Sequence, residues 1–178
     1  KTMTSCPRCA TALAKHELEY ENVNDKSILA NLPVVGNKDT YLIIWTTTPW
    51  TIPFNLAVMA HPEFDYVKAQ IEGTNETWIL AKALSGAVIT AVAGKKFKVV
   101  EEFKGKNLEG LKYRTPFYDD LKYHQELDKK NKKAYTVLMS DQYVDLGSGS
   151  GLVHCAPGCG PEDFEVGRKN KLPPYNEL

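Results

Sequence analysis

Residues 40–50 read TYLIIWTTTPW and place hydroxyl side chains at the end of an apolar segment. β-Branched and aromatic residues dominate up to about Thr47, which predicts a buried strand. Pro49 and Pro53 then exclude regular structure, because proline fixes φ and lacks the N–H of a sheet ladder. The hydroxyls can therefore face a cavity, or they can be satisfied within a turn. The three that close the strand are Thr46, Thr47 and Thr48.

The segments around this stretch predict a succession of strands. Apolar patterns of strand type occur in HELEYENV, SILANLPVV, NLAVMA, FDYVKAQI, ETWILA, KKFKVVEEFKG, AYTVLMSD and the residues before HCAP. Gly73 and Asn75 predict a hairpin turn between FDYVKAQI and ETWILA. Short helices are predicted at 81–88 and from Pro161 onward, with partial helical spacing in FYDDLKYHQELDKKNKK. Because strands follow strands, the predicted class is mainly β with short helices (α+β), arranged as a distorted β-barrel.

The composition is that of a packed, electrically neutral domain. The chain has 178 residues, 43% hydrophobic and 25% charged, with 22 basic and 22 acidic side chains. This balance argues against a chain-wide basic surface for long nucleic acid, but it allows contact with one RNA end. The charges of FYDDLKYHQELDKKNKK are interpreted as a solvated face. The apolar runs are too short to span a membrane and no signal peptide precedes them, so we expect a cytoplasmic protein without membrane contact.

Four cysteines raise the question of a metal site. Cys6 and Cys9 form a C-x-x-C pair, which is half of a four-ligand zinc site. Cys155 and Cys159 could complete it, or the missing pair could lie outside this sequence, which we interpret as a piece of a longer protein. We therefore divide the chain into a linker or zinc-knuckle half at 1–15 and a main domain at 16–178.

A second unusual stretch is GSGSGLVHCAPGCGPEDFEVG at residues 147–167. Its glycines permit a close backbone approach. His154 ends a short strand and Asp163 falls in the first turn of a predicted helix, so both could face one pocket, or each could be structural. The pattern lacks the spacing of a phosphate-binding loop, and no serine sits in a G-x-S-x-G elbow.

Together the two stretches carry a family resemblance. TTTPWTIPFNLAV and GSGLVHCAPGCGPEDF resemble the two signature peptides of the editing domain, connective polypeptide 1, of the isoleucyl-tRNA synthetases of class I. CPRCATALAKHELEY, GKNLEGLKYRTPF and SDQYVDLGSGSG extend the resemblance over essentially the whole chain. Thr48 and Trp50 favour the isoleucyl branch, because the valyl and leucyl enzymes typically carry an arginine and an acid at these positions.

The resemblance implies hydrolysis of the ester that joins valine to tRNA(Ile), with valyl-adenylate as a further candidate substrate. Valine and isoleucine differ by one methylene, whose burial supplies only on the order of 1 kcal/mol. Isoleucyl-tRNA synthetase is itself the standard example of a second, hydrolytic sieve that corrects such errors. Implied partners are the tRNA 3′ end, mischarged valine and the catalytic domain of the parent enzyme. No cofactor is expected at the editing site; structural zinc and ATP belong to the parent enzyme.

The resemblance also implies roles for individual residues. Asp163 would hold the substrate's α-ammonium, and the three threonines would orient substrate and water. His154 would border the side-chain pocket and reject isoleucine. The remaining implied substrate-binding residues are Trp50, Asn55, Gly149, Ser150 and Gly151. Ser150 replaces a threonine that is usual in the family, and Cys159 replaces a histidine.

Three alternatives to this interpretation remain open at the level of sequence. The chain could be the editing domain of a valyl or leucyl enzyme. It could be a module that binds a tRNA end without hydrolysis. It could also be a zinc-ribbon interaction domain that uses the four cysteines.

Overall fold

The computed structural model describes residues 4–19, 21 and 26–176. At its start, β1 (Thr4–Ser5) and β2 (Ala12–Leu13) form a short antiparallel pair that encloses the C-x-x-C turn. A 3-10 turn follows at Lys15–Glu17. The predicted strand HELEYENV is therefore wrong at its beginning, while Tyr20 and Val23 lie outside the described residues. The division after residue 15 stays a prediction.

A five-stranded sheet is built from most of the predicted strands, which confirms them. Within this sheet, as far as the structure describes it, the strand order is β3-β4-β7-β6-β8; the β4–β7 pair is parallel and the other three pairs are antiparallel. The predicted hairpin joins the sixth and seventh strands. The strand bounds are β3 Ile28–Pro33, β4 Thr40–Thr46, β5 Ala57–Ala60, β6 Asp65–Ile71, β7 Thr77–Ala81 and β8 Phe97–Lys104.

The continuous apolar run of β4 is explained by burial on both faces of the sheet. Leu42 and Ile44 pack into a core shared with the second sheet. Ile43, between them, points to the opposite face and joins a separate core with Val88 and Ile89. Successive side chains on a strand alternate between faces, so a strand between two cores is apolar at every position.

The second sheet has three strands in the order β10-β5-β9, with β9 at Thr136–Met139 and β10 at Leu152–Cys155. Isolated bridges, Val34 to Tyr113 and Lys112 to Thr136, connect one edge of this sheet to the larger one. On the other side, the described strands form no ladder between the sheets; the amide of Ala81 donates instead to the carbonyl of Ser150 at 2.9 Å. The predicted barrel is therefore wrong, because the glycine-rich loop occupies the place where the sheets would close.

Three α-helices lie among the described residues. α1 (Lys82–Ser85) continues into a wider π-helical segment, Gly86–Val92, which confirms the predicted helix and extends it. α2 (Lys122–Lys130) is the helical part of the charged excursion. α3 (Pro161–Asn170) begins as predicted, with proline at its start and acids in its first turn. Among the described residues, no helix has the length and apolarity that a membrane crossing requires.

Candidate active site

An open cleft of about 490 Å³ lies where the end of β4, the following 3-10 turn (Pro49–Phe54), the glycine loop, β10 and the start of α3 meet. Both unusual sequence stretches contribute to its wall. Of the residues predicted for the site, the cleft brings together Thr46, Thr47, Thr48, Trp50, Gly149, Ser150, Gly151, His154 and Asp163. Asn55 does not line it.

The three threonines differ in how their hydroxyls are engaged. Thr46 is buried, and its Oγ1 accepts the backbone N–H of Thr48 at 3.0 Å and lies 3.3 Å from the Thr48 hydroxyl. Thr47 is exposed, and its hydroxyl has no hydrogen-bond partner within the described part of the chain. Thr46 therefore shapes the turn, while Thr47 presents a free hydroxyl to the cleft.

His154 is held by a chain of hydrogen bonds that runs through the core. The buried hydroxyl of Tyr113 donates to Asn55 Oδ1 at 2.5 Å. The amide nitrogen of Asn55 donates to the carbonyl of Ala57 at 2.9 Å and faces His154 Nδ1 at 3.3 Å. On the other side of the ring, His154 Nε2 lies 2.9 Å from the hydroxyl of Thr51, which itself donates to the carbonyl of Thr48.

These partners fix the tautomer of His154. An amide nitrogen can only donate, so Nδ1 must accept and the ring proton must sit on Nε2. The Thr51 hydroxyl uses its proton on the Thr48 carbonyl and therefore accepts from Nε2. Burial lowers the pKa of His154 to about 4, which keeps the ring neutral near pH 7. With both ring nitrogens engaged, His154 is suited to form a wall of the pocket rather than to act as a base.

Replacing Tyr113 with phenylalanine should destabilise the domain by about 1–3 kcal/mol, because the buried amide oxygen of Asn55 loses its donor. Urea denaturation of the variant measures the change. Tyr143→Phe is the matched control: its hydroxyl donates to the partly exposed carboxylate of Glu165, which water can reach. Equal stability of the two variants would show that the hydrogen bond from Tyr113 does not stabilise the chain of hydrogen bonds that leads through Asn55 to His154.

Thr51 and Tyr113 were missed from sequence, although both act on the site through His154. Thr51 belongs to the opening threonine stretch, so its hydroxyl was a visible signal. Tyr113 lies in GKNLEGLKYRTPF and carried no signal, because its contact with Asn55 joins segments that are distant in sequence. Asn55 is fully buried behind His154, so its contact with the cleft is indirect.

Asp163 lies in the first turn of α3 and faces the cleft. Burial raises the pKa of this carboxyl to about 6. Two smaller effects act on the same pKa: the backbone amide of Ala156 lowers it and the charge of Glu162 raises it. Gly160 leaves room for it, because a Cβ there would stand 3.0 Å from Asp163 Oδ2. The result is a partly desolvated carboxylate without an ion-pair partner among the described residues. Such a group is suited to bind a cation.

The glycine loop is shaped by its packing against the protein. Gly149 has φ +75° and lies against the Trp45 ring, and Gly151 has φ +73° and lies against Ala81. The hydroxyl of Tyr66 donates to the carbonyl of Gly151 at 2.7 Å. Ser150 is buried, and its hydroxyl is engaged with the backbone of Leu152. Close approach to protein atoms therefore accounts for Gly149 and Gly151, whatever ligand the cleft takes.

The cysteines do not form a cluster. The described residues contain no group of three or more potential metal ligands, so Cys155 and Cys159 do not complete a site with Cys6 and Cys9. Cys155 is buried and donates to the carbonyl of Asp163 at 3.8 Å. Cys6 and Cys9 remain suitable as half a site, since hydrogen bonds from Cys9 and the amide of Arg8 lower the pKa of Cys6 and favour its thiolate.

Solved structures identify the fold. The chain is similar to the editing domain of cytosolic leucyl-tRNA synthetase from P. knowlesi, with a TM-score of 0.61, 11% identity, and coverage of 86% of this chain and 67% of that one. The corresponding P. falciparum domain gives a TM-score of 0.55 at 16% identity, over 75% of this chain and 48% of that one. No protein-family model matches. The fold is that of the synthetase editing domains.

Sequence relatives specify the branch. The chain is 52% identical to isoleucine–tRNA ligase of Pyrococcus abyssi, over 97% of this chain and 16% of the relative. It is 42% identical to that of Methanocaldococcus jannaschii, over 97% of this chain and 17% of the relative. The chain thus matches isoleucine–tRNA ligase along nearly all of its own length while spanning about one sixth of the ligase. These findings confirm the predicted resemblance to the isoleucyl editing domain.

Proposed function

We propose that the chain hydrolyses the ester joining misattached valine to the 3′-terminal adenosine of tRNA(Ile), within a parent isoleucine–tRNA ligase in the cytoplasm. The observation that carries the proposal is one cleft containing an unpaired, partly desolvated carboxylate, a free threonine hydroxyl and a fixed neutral histidine. These groups suit the three parts of an aminoacyl ester: its α-ammonium, its reacting carbonyl and its side chain.

Asp163 binds the α-ammonium in this proposal. A carboxylate and an ammonium form a charge-assisted hydrogen bond that is stronger in a partly enclosed site than in water. The bound cation also favours the ionised form of Asp163, which offsets the burial that raises its pKa. One fixed contact to the amino group orients the neighbouring carbonyl for attack.

A water molecule is the nucleophile, positioned by Thr47 and Thr48. The cysteines are poor candidates, because burial raises the pKa of Cys155 and Cys159 and keeps both as thiols. The Ser150 hydroxyl is buried and already engaged. The water oxygen bonds to the ester carbon as the bond to the ribose oxygen breaks, and the proton that the water loses passes to that leaving oxygen. A neighbouring ribose hydroxyl assists by donating its own proton to the leaving oxygen and taking the proton of the water.

Selection by size falls to His154. Its ring cannot rotate without breaking the contacts to Asn55 and Thr51, so it forms a rigid boundary for the substrate side chain. A rigid wall that admits valine excludes the extra methylene of isoleucine by overlap, which costs more than burial of that methylene gains. At the mouth of the cleft, the indole of Trp50 is 65% exposed. It offers a flat face on which the terminal adenine can stack.

The direct test is deacylation of purified aminoacyl-tRNAs by the chain. We expect it to hydrolyse Val-tRNA(Ile) and to leave Ile-tRNA(Ile) intact. Preference for Thr-tRNA(Val) or Ile-tRNA(Leu) would assign it to the valyl or leucyl type instead. Binding of tRNA without hydrolysis of any of these esters would contradict catalysis and leave a binding module.

Zinc enters the proposal only for the parent enzyme. Cys6 and Cys9 fit two positions of a tetrahedral zinc site, and a second C-x-x-C from elsewhere in the parent would supply the others. Bound zinc would stabilise the β1–β2 turn. The hydrolytic step uses none of these residues.

A further inference from the structure

A basic groove of about 470 Å³ lies at the ends of α2 and α3, remote in sequence from the threonine stretch. We call it the lysine groove. It is lined by lysines and asparagines from two separate segments, 130–133 and 169–171. The segment 129–133 contains four lysines, and RKNK at 168–171 contributes three more cations. The chain as a whole has equal numbers of basic and acidic side chains, but positive charge is concentrated at this one place on its surface.

The two segments are joined by specific contacts. Asn131 Nδ2 donates to the carbonyl of Lys171 at 2.8 Å, and Lys133 Nζ donates to Asn170 Oδ1 at 2.8 Å. The groove is thus a fixed surface, since hydrogen bonds hold both sides of it together. From sequence alone the first segment is interpreted as a solvated face, because no residue in it indicates that the segment 169–171 lies beside it.

The acids in the neighbourhood leave several of these cations unneutralised. Lys169 pairs with Glu165 at 2.8 Å, and Lys130 lies 3.8 Å from Glu126. Asp128 pairs with Lys112, outside the groove. Lys132 and Lys171 are exposed and have no ion-pair partner in the part of the chain that the structure describes.

Helix electrostatics explain only part of this concentration. Lys129, Lys130, Arg168 and Lys169 lie in the last turns of their helices, where positive charge complements the helix dipole. Lys171 caps α3 and gains from the same effect, whereas Lys132 and Lys133 lie beyond the end of α2 and gain little from it. Placing like charges together costs electrostatic free energy, which a polyanionic ligand would recover.

The groove also stands in a defined relation to the cleft. α3 has ten residues, so its two ends are about 15 Å apart. Its first turn carries Asp163 in the cleft, and its last residues line the groove. An RNA strand whose 3′ end enters the cleft needs to extend only a few nucleotides to bring phosphates to the groove.

We propose that the lysine groove binds the phosphate backbone of the RNA whose 3′ end occupies the cleft. This inference rests on the proposed function for the identity of the RNA, but binding can be measured without any hydrolysis. Lysine–phosphate contacts carry little sequence information, so the groove adds affinity and orientation while the cleft selects the amino acid.

The test compares Lys132→Gln/Lys171→Gln with the unaltered chain in binding an RNA acceptor-stem hairpin that carries a single-stranded 3′ end and no amino acid. We expect several-fold weaker binding and a shallower dependence of log K on log salt, by about 0.7–0.9 for each lost lysine–phosphate contact. Hydrolysis of the valine ester of adenosine alone should be unchanged, because neither lysine contacts the cleft.

The matched control is Lys98→Gln/Lys106→Gln, which removes two exposed lysines on and after β8. Equal loss of affinity in both double variants would overturn the proposal, since it would reflect net charge alone. Unchanged affinity and salt dependence in the groove variant would overturn it as well. Failure of the proposed function would give a different result: the unaltered chain would not hydrolyse the valine ester of adenosine, whatever the two double variants do to RNA binding.

Discussion

We expect Asp163→Asn to lower the hydrolysis of valyl esters sharply and, at the same time, to stabilise the fold above pH 6. The amide keeps the shape of the carboxylate but cannot neutralise an ammonium, so the orienting contact is lost. We expect a fall in the hydrolysis rate of roughly 100-fold or more, comparable to the loss of other preorganised electrostatic contacts.

The gain in stability follows from the sign of the pKa shift. Burial raises the pKa of Asp163 from 3.8 to about 6, so the folded state holds its proton at a pH where the unfolded state has released it. Stability from this group is present below pH 4 and is lost as the pH rises to 6. Above pH 6 the folded protein carries a desolvated charge that asparagine lacks. We expect an advantage on the order of 2 kcal/mol for the variant at pH 7.5.

Thermal unfolding of both proteins at pH 4 and pH 7.5 measures this difference. The midpoints should nearly coincide at pH 4 and separate at pH 7.5. Asp141→Asn is the control for stability, because it makes the same exchange at an exposed acid that does not line the cleft. A midpoint for Asp163→Asn below that of the unaltered chain at pH 7.5 would contradict a desolvated carboxylate. Retained hydrolysis would remove Asp163 from the ammonium site.

The parts of the fold that sequence could predict are those set by local pattern. The apolar run of β4, the hairpin around Gly73 and the proline at the start of α3 each carry their own signal within a few residues. The barrel was wrong because closure depends on strands that meet only in three dimensions. Nothing in the pattern of β10 shows that the glycine loop, rather than a strand ladder, lies against Ala81.

The same division applies to the site. The hydroxyls of residues 46–48, His154 and Asp163 were visible as unusual residue types at the ends of predicted elements. The relay from Tyr113 through Asn55 to His154 was not, since it joins partners 58 and 99 residues apart in the chain. The lysine groove was hidden for the same reason. The groups that face the cleft were thus easier to predict from sequence than the groups that hold them in place.

Gly151→Ala is expected to have the second large effect, because it disturbs the junction between the cleft and the larger sheet. The glycine has φ +73°, and a Cβ at this position would collide with the Cβ of Ala81. Two contacts hold the loop here: the Ala81 amide to the Ser150 carbonyl at 2.9 Å, and the Tyr66 hydroxyl to the Gly151 carbonyl at 2.7 Å. The backbone of β7 cannot move away without loss of its pairing with β6.

Left-handed backbone strain and overpacking together should lower the free energy of unfolding by about 2–4 kcal/mol. Displacement of the loop should also lower hydrolysis, because Ser150 and Gly151 form one wall of the cleft. Urea denaturation and the valyl-ester assay measure the two effects. Gly147→Ala is the matched control in the same loop, where the nearest atom to a new Cβ belongs to the exposed side-chain carboxylate of Asp145, at 3.2 Å. It should change stability by no more than about 0.5 kcal/mol. Equal midpoints for the two variants would show that the loop yields to the added methyl group, and its contacts with Ala81 and Tyr66 would then not fix this wall of the cleft.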